Sequence, residues 1–221
     1  MRKNFGAKTW LYPMPVLIIG TYDENGVPNA MNAAWGGIYD TNQIMVCLAD
    51  DHKTTENIKK SGAFTVSFAT VNTVAACDYV GIVSANDEPN KFSKAGFHHE
   101  KSEFVNAPLI EELPMALECK MLSYDEKSCR MTGEIINVSA DEKILDENGK
   151  WDLSKLEWVV SECSERRLYV VLDMHGAVGY QSDAPHNGKG GSCGLYEQTE
   201  EGEFYRGLTV ELWTAIAERF K

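Results

Sequence analysis

A succession of short apolar segments separated by turn residues constrains the fold of this chain more than any other feature. The stretch VLIIGTYDENGVPNAMNAAWGG, residues 16–37, has an apolar run, the turn sequence DENG and a second extended run, which predicts a β-hairpin. The segments QIMVCLA and AFTVSFA are rich in β-branched and aromatic residues and predict buried strands. Two longer runs, PMALECKMLSYDE and SCRMTGEIINVSA, follow with a charged turn between them. Together these segments predict an antiparallel β-barrel or sandwich.

Two further patterns add helices to this mainly β architecture. The segment KTTENIKKSG, between two of the predicted strands, has threonines at its start and a glycine at its end, which predicts an inserted helix. After residue 155 the pattern changes to helix, apolar strand, glycine-rich loop and helix, an order typical of β/α proteins. We therefore expect a β domain over residues 1–155 and a short β/α fragment over residues 156–221.

Composition excludes some classes of partner. The chain of 221 residues has 21 lysines and arginines against 33 acidic residues, a formal charge of −12. No basic face is available to neutralise phosphates, so nucleic acid and anionic membranes are not expected as partners. Six cysteines without a Cys-x-x-Cys pair indicate reduced thiols in a cytoplasmic protein. No metal site is expected, because the adjacent pair His98 and His99 would point in different directions on regular structure.

Three separated blocks carry a resemblance to a known family. They are PNAMNAAWGGIYDTNQIMVCLADDHKTTENIKKSGAFTVSFA, ACDYVGIVSANDEPNKFSKAGF and LPMALECK. In this order they resemble the flavoredoxin and flavin-reductase-like family over about residues 10–155. The resemblance implies an FMN-binding split β-barrel, a homodimer, and electron transfer or flavin-dependent reduction with a small-molecule or protein donor and acceptor. No Gly-x-Gly-x-x-Gly fingerprint follows a strand, so the electron donor stays open.

The start of the inserted helix supplies the chemistry that a phosphate needs. A phosphate binds cations together with hydroxyl or amide donors, best at a helix start, and Lys53, Thr54 and Thr55 stand there. A capped surface helix is the alternative interpretation of the same residues. By resemblance, the small residues of MNAAWGG let the backbone approach the flat flavin ring, and a tightly paired strand is the alternative. The amides expected to bond the ring belong to Asn32, Ala33, Ala34 and Trp35.

The resemblance also assigns residues further along the chain. Lys91 stands where the family keeps a lysine, and Phe97 is expected to cover the cofactor. The remaining walls of the site are assigned to Leu48, Ala49, Ser67, Phe68 and Ala69. Cys77, on a predicted helix, is interpreted as a buried apolar residue rather than as a redox thiol.

The C-terminal fragment resembles a different family. The stretches SERRLYVVLDMHGAVGYQSD and GLTVELWTAIAERF are similar to family five glycoside hydrolases over about residues 157–221, with His175 matching a histidine of the sugar site. Glycoside hydrolysis needs two carboxyl groups at a set separation, and the strands that carry the catalytic glutamates are missing. We therefore expect a fusion without glycosidase activity, joined near residues 155–157. The apolar residues expected to bury this fragment against the barrel or a dimer partner are Trp158, Leu168, Leu212, Trp213 and Ile216.

The glycine-rich loop contains a second chemical pattern. GGSCG at residues 190–194 satisfies Gly-x-Ser-x-Gly, the nucleophile elbow of esterases, and His186, Asp183 and His175 are near Ser192 in sequence. The elbow requires a strand before and a helix after the serine, whereas this serine stands in a loop. No histidine follows Ser192, which excludes the chain order of α/β-hydrolases. The GGSCG pattern nevertheless makes a carboxylesterase the alternative to the flavoprotein. A flavin-free binding or structural protein is the third interpretation.

Overall fold

The computed structural model describes residues 2–11 and 14–150, together with six isolated residues between 200 and 214 that are helical. The chain divides into two compact units, residues 1–143 and 144–221. The predicted division at residue 155 stays a prediction. The predicted helix, strand and glycine-rich loop of residues 156–198, and the five apolar residues expected to bury the fragment, lie outside the described residues.

The first unit consists mainly of β-strands. The strands are β1 (Leu17–Tyr22), β2 (Pro28–Ala33), β3 (Gly36–Asp40), β4 (Gln43–Cys47), β5 (Ala63–Phe68), β6 (His99–Lys101), β7 (Pro108–Ile110), β8 (Met115–Asp125) and β9 (Arg130–Ala140). The helices are α1 (Lys53–Ser61), α2 (Val74–Ile82) and α3 (Lys91–Lys94), with short 3₁₀ turns at Val71–Thr73 and Glu142–Ile144.

Seven of these strands form one curled antiparallel sheet. Its order is β2-β1-β5-β8-β9-β4-β3, and β6 pairs with β7 in a separate small sheet. The two edge strands, β2 and β3, are joined by residues 34–35 alone, so Ala33 and Gly36 lie at most about 11 Å apart. The edges therefore meet at this corner. The predicted antiparallel barrel is confirmed, in its split form.

The first hairpin shows how local sequence sets this sheet. The Asp23 carboxylate accepts hydrogen bonds from the amides of Asn25 and Val27, both at 2.8 Å, and Gly26 takes a left-handed φ of 79°. Only glycine adopts this conformation without steric cost. The resulting register pairs Tyr22 with Pro28, so the predicted DENG hairpin is confirmed.

Both faces of β1 are buried, and each belongs to a different apolar cluster. Leu17 and Ile19 face the inner cluster of the barrel, into which α1 inserts Ile58. Ile18 faces an outer cluster formed with α2 and α3. Successive side chains of a strand point to opposite faces of the sheet. A strand that is covered on both faces is therefore apolar throughout, as LIIG is. The helix α1 is thereby held between the barrel interior and the surface, with its first turn near β2.

Candidate cofactor site

A cavity of about 160 Å³ lies where the first turn of α1 meets the end of α2; we call it cavity A. It brings together three of the predicted residues, Lys53, Thr54 and Lys91, from two separate helices. Its remaining lining consists of Met31, His52 and residues 80–85. The structure thus brings Lys53, Thr54 and Lys91 to one cavity, although 36 residues lie between Thr54 and Lys91 in the sequence.

The start of α1 is suited to an anion. The residue before the helix, His52, makes no side-chain capping bond to it. The first amides of a helix have no partner within the helix, and the helix dipole favours negative charge there. The Lys53 ammonium donates to Glu56 at 3.1 Å and also lines cavity A. This arrangement places a cation and uncapped amides beside the same cavity.

The Thr54 hydroxyl is oriented by a neighbouring amide. Thr54 is almost completely buried, and its Oγ1 accepts a hydrogen bond from Asn29 Nδ2 at 2.7 Å. A hydroxyl has one proton and two acceptor positions, so the proton of Thr54 remains to be donated elsewhere. Because Thr54 lines cavity A, this side chain can act as a donor to a ligand there.

Lys91 is a buried lysine with a structural role of its own. It is 4% exposed, and its ammonium donates to the carbonyl oxygens of Val80 and Val83, both at 2.8 Å. Burial lowers the pKa of Lys91 from its ordinary value to about 8. An ammonium group has three donors, so one N–H remains for a ligand in cavity A. Lys91 therefore ties α3 to the end of α2 and also supplies a cation to the cavity.

The predicted ring-binding segment follows the edge of the sheet. Asn32 Nδ2 donates to the carbonyl oxygen of Cys77 in α2 at 3.4 Å. A Cβ atom on Gly81 would lie 2.0 Å from the same Asn32 amide, so α2 approaches β2 closely because residue 81 is glycine. Beyond Ala33 the chain reaches the surface, where Ala34 is exposed and Trp35 is 61% exposed. Since β2 is an edge strand, alternate backbone groups along it lie outside the sheet ladder.

The side chains of several other residues predicted to line the site pack inside the fold. Leu48 lies in the inner cluster, and Thr55 is buried with its hydroxyl donating to the Ala49 carbonyl at 2.7 Å. Phe97 lies in the outer cluster, with its ring centroid 5.6 Å from that of Phe92. That Phe97 covers the cofactor stays a prediction, and the packing of its ring in the outer cluster does not support this role. The backbone of Leu48 is occupied as well, since its amide donates to the Cys129 carbonyl and its carbonyl accepts from the Tyr124 hydroxyl, both at 2.9 Å. The cofactor roles of Leu48, Ala49 and Thr55 stay predictions.

The predicted residues of β5 lie on the sheet beside Asn32. Ser67 and Asn32 both pair with Ile18, so they lie on one face of the sheet, about 10 Å apart. Ser67 is buried, and its hydroxyl has no partner among the described residues. Phe68 packs against the inner cluster and Ala69 against the outer one. The cofactor roles of these three residues stay predictions.

Sequence reasoning did not single out Asn29, which orients Thr54. Asn29 pairs with Thr21 across the hairpin, and both side chains are buried. Asn29 Nδ2 also approaches Thr21 Oγ1 at 3.5 Å, and Asn57 of α1 donates to the same oxygen at 3.1 Å. The available signal in the sequence was a pair of polar residues, Thr21 and Asn29, at strand positions that become buried. The partner on α1 could be identified only in the folded structure.

Several predictions concern other parts of the chain. The alternative hydrolase residues Ser192, His186, Asp183 and His175 lie outside the described residues. His98 bonds Glu112 at 2.7 Å and His99 bonds the Tyr22 hydroxyl at 2.8 Å, so the adjacent pair has separate partners. Cys77 is buried in the outer cluster.

Within the described ranges, none of the helices has the length and apolar character needed to cross a membrane. The cytoplasmic location stays a prediction.

Comparison with known proteins agrees with the fold. The model of the flavin reductase like domain matches residues 9–162. Flavoredoxin of Desulfovibrio vulgaris (Miyazaki F) is 39% identical, with 71% of this chain and 85% of that chain covered and a TM-score of 0.66. Flavoredoxin from Methanosarcina acetivorans is 28% identical over 70% of this chain and 83% of that chain, with a TM-score of 0.63.

A third solved structure is the FMN-binding domain of a flavin reductases-like enzyme from Shewanella baltica OS155. It is 25% identical, with 63% of this chain and 75% of that chain covered and a TM-score of 0.58. These matches give no support to the resemblance of residues 157–221 to glycoside hydrolases. The family match extends to residue 162, slightly past the predicted junction. With 154 of its 221 residues matched and the split-barrel fold in place, the chain belongs to the flavin reductase-like domain family.

Proposed function

We propose that the protein binds FMN noncovalently, with the phosphate in cavity A, and acts in electron transfer or flavin-dependent reduction. The observation that carries this proposal is the convergence of Lys53, Thr54 and Lys91 at an uncapped helix start. Family membership and the similar FMN-binding domain support it. The electron donor and acceptor would be small molecules or proteins.

The donor set of cavity A fits a phosphate. Two ammonium groups, one hydroxyl and the first amides of α1 provide positive charge and hydrogen-bond donors to an anion. At about 160 Å³ the cavity is smaller than pockets that enclose a whole ligand. It would therefore hold the phosphate end, while the ring would lie along residues 32–35. A bound flavin would supply the redox chemistry, and the chain would bind and orient it.

The flavin content of the purified protein tests this proposal. The protein should be yellow as isolated or after incubation with FMN and removal of the excess. Chromatography of the supernatant after denaturation should identify FMN. A colourless protein that cannot be reconstituted would overturn the proposal.

FMN binding should weaken with pH through Lys91. A phosphate favours the ammonium form, and the pKa of this group is about 8 in the absence of ligand. The Kd of FMN should therefore be level from pH 7 to about 8 and rise about tenfold per pH unit above it. The free energy of unfolding of the apoprotein changes with pH in the opposite sense. Between the folded pKa of Lys91, about 8, and the unfolded value near 10.4, the unfolded chain binds more protons than the folded chain. The free energy of unfolding of the apoprotein therefore rises with pH in this range.

Fluorescence titrations with FMN at a series of pH values measure this dependence. The Lys91→Arg variant should show a level profile, because arginine keeps its charge throughout. The titrations are repeated in His52→Gln, since His52 lines the same cavity. If wild type and Lys91→Arg gave the same slope above pH 8, Lys91 would not contact the phosphate.

We also propose that the protein is a homodimer that uses the corner between β2 and β3. Trp35, Ile38 and Tyr39 are exposed there, Ile38 to 71%, and β3 is an edge strand with unpaired backbone groups. A second copy would cover these side chains.

Light scattering should give the mass of two chains for the wild type, and Ile38→Lys should shift it to the mass of one chain. The matched Leu122→Lys, at a half-exposed position of β8, should remain dimeric; equal masses for both variants would exclude this corner as the interface.

A further inference from the structure

The structure describes an exposed arm at residues 2–11. All ten residues are exposed, and none belongs to a helix or a strand. The arm contains Phe5, Trp10 and Leu11, of which Phe5 is 57% and Trp10 is 60% exposed. The ring centroids of Phe5 and Trp10 lie 5.1 Å apart, so the two rings form one apolar surface. Adjoining exposed aromatic rings are typical of surfaces that bind another protein.

The arm is also basic, in contrast to the chain as a whole. Arg2, Lys3 and Lys8 lie within it, and the first acidic residue of the sequence is Asp23. The whole chain has a formal charge of −12. Opposite charges steer association and determine which surfaces meet. The arm therefore fits a surface that combines carboxylates with an apolar pocket.

A surface of this kind lies on the chain itself. A cavity of about 230 Å³, which we call cavity B, is lined by residues of β6, β7 and the paired ends of β8 and β9. Its described lining is mainly apolar, contains no lysine or arginine, and has Glu100, Glu111 and Asp141 as its charged residues. Asp141 pairs with Lys143 at 3.3 Å, whereas Glu100 and Glu111 form no ion pair with a described residue. Cavity B thus offers carboxylates to a cation from another molecule.

We propose that the arm of one chain docks in cavity B of a second copy, with Trp10 in the cavity and Lys8 beside Glu111. At about 230 Å³ the cavity is smaller than pockets that enclose a whole ligand, and it suits one large side chain. Phe5 covers the Trp10 ring from solvent, as the residues around a binding hot spot do. This inference rests on the proposed homodimer and adds a second contact to the one at the β2–β3 corner.

The area available to the arm agrees with a contact that strengthens a dimer. A buried aromatic side chain covers about 150–250 Å², so the exposed parts of Phe5 and Trp10 offer roughly 200–300 Å². Two reciprocal arms, with the walls that they cover, bury about 800–1,200 Å² in total, and stable interfaces bury about 1,200–2,000 Å². The arms are therefore expected to stabilise the dimer together with the corner rather than alone.

The connection between the arm and β1 favours a second copy over the arm's own chain. The Ala69 amide donates to the Val16 carbonyl at 3.2 Å, which fixes the backbone to the sheet at Val16. Pro15 precedes it and favours an extended conformation at Met14. No residue of the arm is among the described lining of cavity B in the same chain. Exchange of an identical segment between two copies is a low-cost route to a dimer.

Reversing one charge on each side of the contact tests the proposal in the full chain. In a dimer of Lys8→Glu or of Glu111→Lys, like charges meet at both contacts, so each variant should raise the dimer Kd at least about tenfold. In an equimolar mixture, the heterodimer pairs the reversed arm with the reversed cavity and the unchanged arm with the unchanged cavity. Its Kd, measured by analytical ultracentrifugation, should return to within about twofold of wild type. An arm that docks in its own chain would leave the mixture as weak as its components and would overturn the inference.

Matched controls separate this contact from net charge and from folding. Glu103→Lys changes an exposed glutamate outside the lining of cavity B and should leave the dimer Kd unchanged. Trp10→Ser should raise the dimer Kd at least about 30-fold, whereas Phe104→Ser, at a half-exposed loop position, should not. Equal melting temperatures establish that the variants fold. A monomeric wild type would overturn the proposed homodimer, whereas a dimer that is unaffected by Lys8→Glu, Glu111→Lys and Trp10→Ser would overturn only this inference.

Discussion

Replacing Lys53 with methionine is expected to weaken FMN binding by about one to two orders of magnitude while leaving riboflavin binding unchanged. Methionine keeps an unbranched apolar side chain but removes the ammonium group from the wall of cavity A. A hydrogen bond to a charged partner contributes about 1.5–3 kcal/mol, which corresponds to roughly 10- to 150-fold in Kd. Riboflavin has no phosphate, so its affinity measures only the contacts to ring and ribityl chain. Titrations of both ligands, followed by flavin fluorescence, measure the effect.

The matched control for this substitution is Lys59→Met on the same helix. Lys59 is paired with Asp50 and Glu126 at the surface, and the described lining of cavity A does not include it. Both substitutions remove one positive charge from α1, but only Lys53 faces the proposed phosphate. If Lys59→Met weakened FMN binding as much as Lys53→Met, the effect would come from net charge and not from a phosphate contact.

Substituting Gly133 with alanine is expected to destabilise the barrel by about 1–3 kcal/mol. A Cβ atom at this position in β9 would lie 2.5 Å from Cζ and 2.8 Å from Cε1 of Phe64. Phe64 is completely buried in the inner cluster, so its ring cannot move aside without displacing its neighbours. Urea denaturation should show a lower midpoint at an unchanged slope.

A double-mutant cycle identifies the cause of this loss. Phe64→Leu alone creates a cavity, but in the Gly133→Ala background it makes room for the added methyl group. The two losses should therefore sum to more than the loss in the double variant. Gly37→Ala is the control, because no atom lies within 4 Å of a Cβ added there. Additive losses, or an effect of Gly37→Ala as large as that of Gly133→Ala, would contradict close packing of β9 against Phe64.

Much of the barrel could be predicted because its signals are local. The DENG turn and the apolar runs around it determine the first hairpin. Segments rich in β-branched and aromatic residues predict β4 and β5, and two longer runs on either side of a charged turn predict β8 and β9. The strand β3 was not separated from β2, because NAAWGG consists mainly of small residues without strand periodicity. The three-residue strands β6 and β7 are too short to show a pattern.

The candidate site could be predicted where chemistry is concentrated in a short stretch. Lys53 and Thr54 follow from the residues at a helix start, and Lys91 from the resemblance. The bonds from Lys91 to the Val80 and Val83 carbonyls depend on how α3 meets α2, which no local pattern encodes. For the same reason the sequence did not reveal that Asn29 orients Thr54, or that Phe97 packs in the core.

We propose that the chain holds FMN by its phosphate at the start of α1. Calorimetric titration of the flavin-free full-length protein with FMN and with riboflavin tests it most directly. We expect one FMN per chain, bound at least about 100-fold more tightly than riboflavin, with the difference reduced in Lys53→Met. Equal affinities for the two flavins, or no binding of FMN, would contradict it.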